Sequence, residues 1–135
     1  AKGMVQGSHG STYGGNPLAM AVGNAVMDVM EEEGFLDHVS AVGARLMDGL
    51  GTLVKAHPKV LLGARGKGLM VGLMCAADPK PLIAKLRENG LLTVIGGGNV
   101  VRLLPPLITG ETEIDEALAI IDRSCAELGT LGEGK

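Results

Sequence analysis

Glycine placement limits what this chain can fold into more than any other feature. Twenty-two of its 135 residues are glycine, and they cluster at residues 7–15, 63–72 and 96–98. No G-X-Y period accompanies them, which excludes a collagen-like rod. Glycine clusters mark tight turns, because glycine alone adopts positive φ at no steric cost. Yet 46% of the residues are hydrophobic. A chain that turns often and still carries that much apolar surface is a compact mixed α/β fold rather than a disordered segment. Its length makes one domain that buries roughly two-thirds of its unfolded surface.

The apolar pattern changes at His57-Pro58. Before it, the period is helical. Asn16 stands where an N-cap is expected and Pro17 at the first helical position. Leu18, Ala21, Val22, Ala25, Val26, Val29 and Met30 then recur at i, i+3, i+4, i+7. This predicts a helix over 17–33, closed by Gly34, with Glu31, Glu32 and Glu33 badly placed at its negative end. A second helix is predicted from Leu36 to Ala56 on the stripe Val39, Val42, Leu46, Leu50, Leu53 and Val54. After Pro58 the runs shorten. Val60-Leu61-Leu62 is read as broken by the glycine-rich stretch 63–68, and Leu69–Cys75 as a buried strand. A short helix is expected from Asp78-Pro79 to Asn89. Leu91–Ile95 and Asn99–Leu104 follow as two strands joined through Gly96-Gly97-Gly98 and stopped by Pro105-Pro106. Thr112 is taken as the cap of a last helix with Ile114, Ala117, Leu118, Ile121, Cys125 and Leu128 inward, and Gly129–Lys135 as a frayed tail. Three or four strands, mostly antiparallel, covered by helices on one face make a small α/β sandwich.

Net charge and composition narrow the functional classes. A charge of -3, with one Phe, one Tyr and no Trp, argues against a nucleic-acid surface. No apolar run reaches membrane-spanning length and no signal peptide opens the chain, so a cytoplasmic location is expected. Cys75 and Cys125 stand in apolar settings and read as reduced core thiols. No His/Cys spacing suits a metal.

Three places carry candidate chemistry. Ser11 and Thr12 sit in the bend Gly10-Ser11-Thr12-Tyr13-Gly14-Gly15-Asn16-Pro17, where two hydroxyls and backbone N–H groups suit a phosphate or carboxylate. An ordinary capped turn explains the same residues. Arg65, between glycines at the mouth of the 69–75 strand, suits a bidentate pair with a carboxylate, or is a plain surface residue. Arg102, inside Val100–Leu104, alternates onto the face of Val100 and Leu104 and reads as a structural ion pair or a solvent-facing edge position. His9 and Tyr13 flank the hydroxyl pair, while His38 and His57 fall on helix surfaces or ends. No Walker A, dinucleotide or GxSxG pattern is met.

His9-Gly10-Ser11-Thr12-Tyr13-Gly14-Gly15-Asn16-Pro17-Leu18-Ala19 resembles a signature of the class III, pyridoxal-phosphate-dependent aminotransferases. Arg65-Gly66-Lys67-Gly68-Leu69-Met70 and Val101-Arg102-Leu103-Leu104-Pro105-Pro106-Leu107 resemble two further landmarks of that family, in its order. The continuation Met20–Val26 most resembles the acetylornithine branch.

The resemblance implies the C-terminal small domain of a fold-type I pyridoxal-phosphate-dependent transferase. Residues 1–15 would be a remnant of the large-domain edge, 16–34 a connecting helix and 35–135 the small domain. It implies pyridoxal phosphate as cofactor, with Thr12 on its phosphate across the interface of a homodimer. Ser11 would contact substrate, and Arg65 a carboxylate of the amino acid or of 2-oxoglutarate. No residue of this chain is expected to be catalytic, because the family's Schiff-base lysine lies upstream of the first landmark. Lys2 is too close to that landmark, and its setting does not match. The segment alone is expected to be inactive and to self-associate through apolar surface left on helix 17–33. Ornithine, succinylornithine or 4-aminobutyrate relatives, and a non-catalytic ligand-binding or dimerisation module, are the alternatives.

Overall fold

The structure, a computed structural model, describes residues 3, 5, 7 and 9–131. Lys2 and the last four residues of the expected tail lie outside the described residues. The chain forms two compact units, residues 1–36 and 37–135.

In the first unit, α1 spans Pro17–Met30. Asn16 caps it as expected: its Oδ1 accepts from Ala19 N–H at 2.9 Å, and its Nδ2 donates back to Tyr13 O. The helix stops three residues short of the expected 33, at the last residue of its apolar pattern. Glu31–Glu33 would place three carboxylates on the negative end of the helix, and no basic residue stands in the last turn to offset them. The chain turns out instead, and Gly34 takes φ +82°. No residue of α1 is buried, and Leu18, Met20, Val22, Val26, Met27 and Val29 are all exposed.

The second unit is a four-stranded antiparallel sheet with helices on one face. Its elements are α2 (Phe35–Ala56), β1 (Leu61–Lys67), β2 (Met70–Cys75), α3 (Lys80–Glu88), β3 (Val94–Ile95), β4 (Val100–Leu103) and α4 (Glu111–Leu131). The strand order is β1-β2-β4-β3. Val71, Leu73 and Cys75 of β2 and Val101 and Leu103 of β4 alternate inward. There they join Val42, Leu46 and Leu50 of α2, Leu82 and Leu86 of α3, and Ile114, Ile120, Ile121 and Cys125 of α4 in one core. The other face of the sheet carries no helix of this unit.

Five expectations are corrected here. The glycine stretch 63–68 does not break the chain; most of it is β1. Gly63 and Gly66 are there because β2 lies close, since a Cβ would fall 2.6 Å from Met74 Cε at the first and 2.3 Å from Met70 O at the second. Leu69 does not open β2 but sits in the two-residue turn after Gly68, whose φ of +55° suits the first central position of a type II′ hairpin. Leu91–Thr93 are not strand. Leu91 N–H donates to Leu86 O and Gly90 N–H to Arg87 O, a Schellman closure of α3 that commits those groups before β3 can begin. Thr112 is not the cap of α4. The helix starts at Glu111, and Gly110 N–H donates to Glu113 Oε2 at 3.0 Å, one half of a capping box. Gly129–Leu131 continue α4 rather than fray.

α2 sits directly on the β1–β2 turn. A Cβ on Gly43 would lie 2.8 Å from Gly68 O, which is backbone and has nowhere to move. Gly51, on the same helix, faces open space. Gly43→Ala is therefore expected to destabilise the fold by about 1–3 kcal/mol. Gly51→Ala is expected to stabilise it by about 0.5–1 kcal/mol through helix propensity. Urea unfolding of the two variants checks the pair; equal effects would remove the contact from the account.

Candidate ligand-binding site

The two units each present one binding feature. In the first unit, the bend from Ser11 to Gly15 folds back on itself. A Cβ on Gly14 would lie 2.9 Å from Ser11 Cβ and 3.0 Å from its Oγ, so only glycine leaves the Ser11 side chain in place. Gly15 takes φ +76° and leads into the Asn16 cap. Ser11 and Thr12 are exposed, and their hydroxyls make no hydrogen bond to other described residues. Two of the first N–H groups of the helix behind them are already taken. Asn16 takes Ala19 N–H on its side chain and Met20 N–H on its carbonyl, and Pro17 has no N–H. What remains for an anion is the hydroxyl pair and the N–H groups of the bend, a cradle that a Cβ at position 14 would fill. His9 and Tyr13 are exposed beside it.

In the second unit, the site residue is Arg65, and the sheet register gives it a companion. Arg65 pairs with Gly72, Gly72 with Arg102, and Arg102 with Val94. Cross-strand partners share a face, so one row crosses the uncovered side of the sheet with an arginine on either side of a glycine. Arg65 is in the edge strand β1 rather than in a loop. Arg102 is on β4, an interior strand, rather than at an edge. Both are exposed, and neither makes an ion pair among the described residues, so the expected structural pairing of Arg102 is not found. A shallow cavity of about 190 Å³ lies between them, with Gly72, Gly96 and Gly97 on its wall and no acidic side chain. Lys67 stands one row away on the same face, opposite Met70.

Several other polar groups of the second unit tie its elements together. Arg45 reaches Asp115 through two hydrogen bonds of 2.8 and 2.7 Å and Glu111 at 3.2 Å, tying α2 to α4. The Arg45 hydrogen bond holds the Asp115 carboxyl below its ordinary range. Lys85 pairs with Glu88 and Glu127, and that contact likewise depresses Glu88. His57 Nε2–H donates to Asp122 at 2.6 Å, and His38 lies 3.0 Å from Thr109 O. Both thiols are buried and free. Burial pushes Cys125 up to about 12 and raises Cys75, so neither serves as a nucleophile at neutral pH. No group of three or more possible metal ligands occurs among the described residues, and no helix there is long and apolar enough to cross a membrane.

Sequence reasoning did not bring Arg102 and Gly72 together with Arg65. Strand alternation put Arg102 on the correct face. Only the register, which depends on the unrecognised strand β1, places it opposite Gly72 and one strand further from Arg65.

Comparison with known proteins bears on the family and the fold. The family model for class III aminotransferases matches residues 1–125. The acetylornithine aminotransferase of Brucella melitensis is 50% identical over 128 residues, 95% of this chain and 32% of that protein. The crystal structure of acetylornithine aminotransferase from Elizabethkingia anophelis superposes with a TM-score of 0.78 at 33% identity, covering 92% of this chain and 32% of that one. An ornithine aminotransferase from Toxoplasma gondii, crystallised with oxidised glutathione and with pyridoxal phosphate partly occupying its active site, gives 0.78 at 33% identity, over 93% and 31%. This chain thus spans about a third of the length of these relatives, and the likeness falls on the C-terminal part of the aminotransferase fold. With the family model covering nearly the whole chain and the architecture agreeing, the protein belongs to the class III aminotransferases.

Proposed function

We propose that this chain supplies the cofactor-phosphate and substrate-carboxylate contacts of a pyridoxal-phosphate-dependent acetylornithine aminotransferase. The reaction would transfer the amino group of N-acetylornithine to 2-oxoglutarate, giving N-acetylglutamate semialdehyde and glutamate. The observation that carries the substrate is the 50% identity to an acetylornithine aminotransferase over 95% of the chain.

Bound pyridoxal phosphate supplies the electron sink for amino transfer. The bend offers its phosphate the exposed hydroxyls of Ser11 and Thr12, neither with a hydrogen-bond partner among the described residues, and Gly14 leaves the Ser11 side chain its room. Thr12 donates its hydroxyl to the phosphate from across a homodimer interface, and Ser11 contacts the acylated substrate. Arg65 holds a substrate carboxylate with Arg102 beside it, because two unpaired guanidiniums on one row of the sheet make a fixed positive surface. No lysine, histidine or carboxylate of this chain is assigned to proton transfer. Its residues bind and orient, which lowers the barrier by removing motional freedom from the reactants.

The direct test is a chimera in which this chain replaces the matching third of the Brucella melitensis enzyme. It is expected to transaminate acetylornithine with 2-oxoglutarate. A chimera that folds and retains the cofactor but prefers unacylated ornithine would overturn the substrate assignment. Thr12→Ala in that chimera is expected to weaken cofactor retention by about 1.5 kcal/mol, roughly tenfold, the scale of one hydrogen bond to a charged group. Unchanged retention on dialysis would remove Thr12 from the phosphate.

Arg65→Lys and Arg102→Lys are each expected to raise the KM for 2-oxoglutarate roughly tenfold, because an ammonium cannot reproduce the bidentate fork. A KM equal to that of the parent in steady-state assays would count against the arginine concerned.

The six exposed apolar residues of α1 support burial of that helix in an assembly. The 135-residue chain is therefore expected to self-associate. Light scattering showing only monomer at high concentration would contradict this.

A further inference from the structure

A second cavity of the sheet unit shares no residue with the arginine row, and it follows from the way α3 ends. Leu91 N–H is committed to Leu86 O, so the chain leaves α3 late and β3 is only the two residues Val94–Ile95. They pair with Arg102 and Val101, which leaves Leu103 with no partner on β3. A cavity of about 370 Å³ opens there between the end of β4, α2 and α4. Leu46, Leu103 and Ile114, none more than 7% exposed, form its floor. Leu92 and Leu104 stand on its rim, 82% and 53% exposed. The volume lies in the range of small-molecule pockets, which are mostly apolar with a few polar groups that fix orientation.

The polar chemistry of this cavity is one-sided. No lysine, arginine or histidine lines it. Pro105 and Pro106 have no N–H. The N–H groups of Leu91, Thr109 and Ile114 go to the carbonyls of Leu86, Pro106 and Gly110. The Thr109 hydroxyl is the one side-chain donor on the wall, so an anionic head would be poorly served. The one charged lining residue is Glu113. Its Oε2 accepts from Gly110 N–H at 3.0 Å, and it has no ion-pair partner among the described residues. The N-terminal end of α4 contributes only about half a positive charge, so the carboxylate keeps the mouth of the cavity negative.

We propose that this cavity binds a small aliphatic ammonium ion, its chain on Leu46, Leu103 and Ile114 and its head on Glu113. The chain removes its own methylenes and the exposed Leu92 and Leu104 from water. The carboxylate, held in place by its bond to the helix cap, selects the charge of the head.

The test uses the full 135-residue chain and n-hexylammonium, with n-butylammonium, hexanol and hexanoate as comparators at neutral pH. The methyl signals of Leu46, Leu92, Leu104 and Ile114 are followed by NMR. Hexylammonium is expected to shift all four along one saturation curve. Butylammonium, two methylenes shorter, is expected to bind roughly fifteenfold more weakly. Hexanoate is expected to bind more weakly by roughly tenfold, with hexanol between the two six-carbon ions. Glu113→Gln keeps an oxygen for the cap and removes the charge. It is expected to weaken hexylammonium roughly fivefold and to leave hexanol unchanged. Ala117→Leu fills the cavity from α4 and is expected to abolish binding of both. Leu92→Ser, at an exposed position outside the core, is expected to weaken hexylammonium about threefold, and it carries the measurement if Ala117→Leu does not fold. Hexanoate that binds as tightly as hexylammonium, or a Glu113→Gln chain that keeps the parent's hexylammonium affinity, overturns the ammonium assignment. Hexylammonium that leaves the four methyl signals unmoved overturns the site. So do signals that respond only to dilution of the protein, because they assign the cavity to a second copy of the chain.

Discussion

Leu73 and Val101 face each other across β2 and β4, each with no exposed surface, and the binding surface of the second unit depends on that pair. Side chains alternate along a strand with period two, so a buried pair on one face dictates the next pair on the other. With Leu73 and Val101 in the core, Gly72 and Arg102 are driven to the open side. Ala64, opposite Leu73, carries Arg65 there with it. A slip of one residue would bury Arg102 beneath the helices with no acidic partner, a cost of several kcal/mol that the fold avoids. The bulge between Leu61 and Gly63 completes this arrangement. It inserts one residue so that Leu61 can join the core opposite Cys75 while Ala64 still faces Leu73. The hydrophobic effect thus aligns the charged row without any contact between the arginines themselves.

The helices were legible because burial and period agree in them. In α2 the stripe Val42, Leu46 and Leu50 emerges from spacing alone and is the most deeply buried part of the helix. The strands were legible only where their apolar content is high. β1 was missed because Gly63, Gly66 and Gly68 look like punctuation, and nothing local distinguishes a glycine that turns the chain from one that admits a neighbouring strand. That difference resides in Met70 and Met74 on the partner strand. Leu91 and Leu92 were read as strand because they are apolar, whereas the hydrogen bonds of Leu91 had already gone to the end of α3. The hydroxyl bend and Arg65 were found from residue types. The cavity was not, since it depends on three strands meeting in one register.

Charge follows the same division between local and long-range information. The chain is acidic overall, yet its open sheet face carries Arg65, Lys67 and Arg102 with no carboxylate opposite them in the ladder. On the helices, Arg45 is matched by Asp115 and Glu111, and Lys85 by Glu88 and Glu127. Those pairs are exposed and sit on helices, where they orient side chains more than they stabilise the fold. Leaving the sheet arginines unmatched keeps their donors available for an anion. A carboxylate placed beside them would have occupied the fork that a substrate needs.

Glycine serves two purposes in this chain, and separating them clarifies what the sequence encodes. At Gly34 and Gly68 it supplies positive φ, and at Gly43 and Gly66 it lets backbone approach backbone. These positions build the fold. Gly14 and Gly72 have neither excuse: their φ values lie outside the left-handed region, and what a Cβ would meet there is a side chain bordering a binding feature, Ser11 in one case and Val100 beside the arginine row in the other. Bareness at such positions costs strand and turn stability, and a side chain there would have to displace Ser11 or Val100.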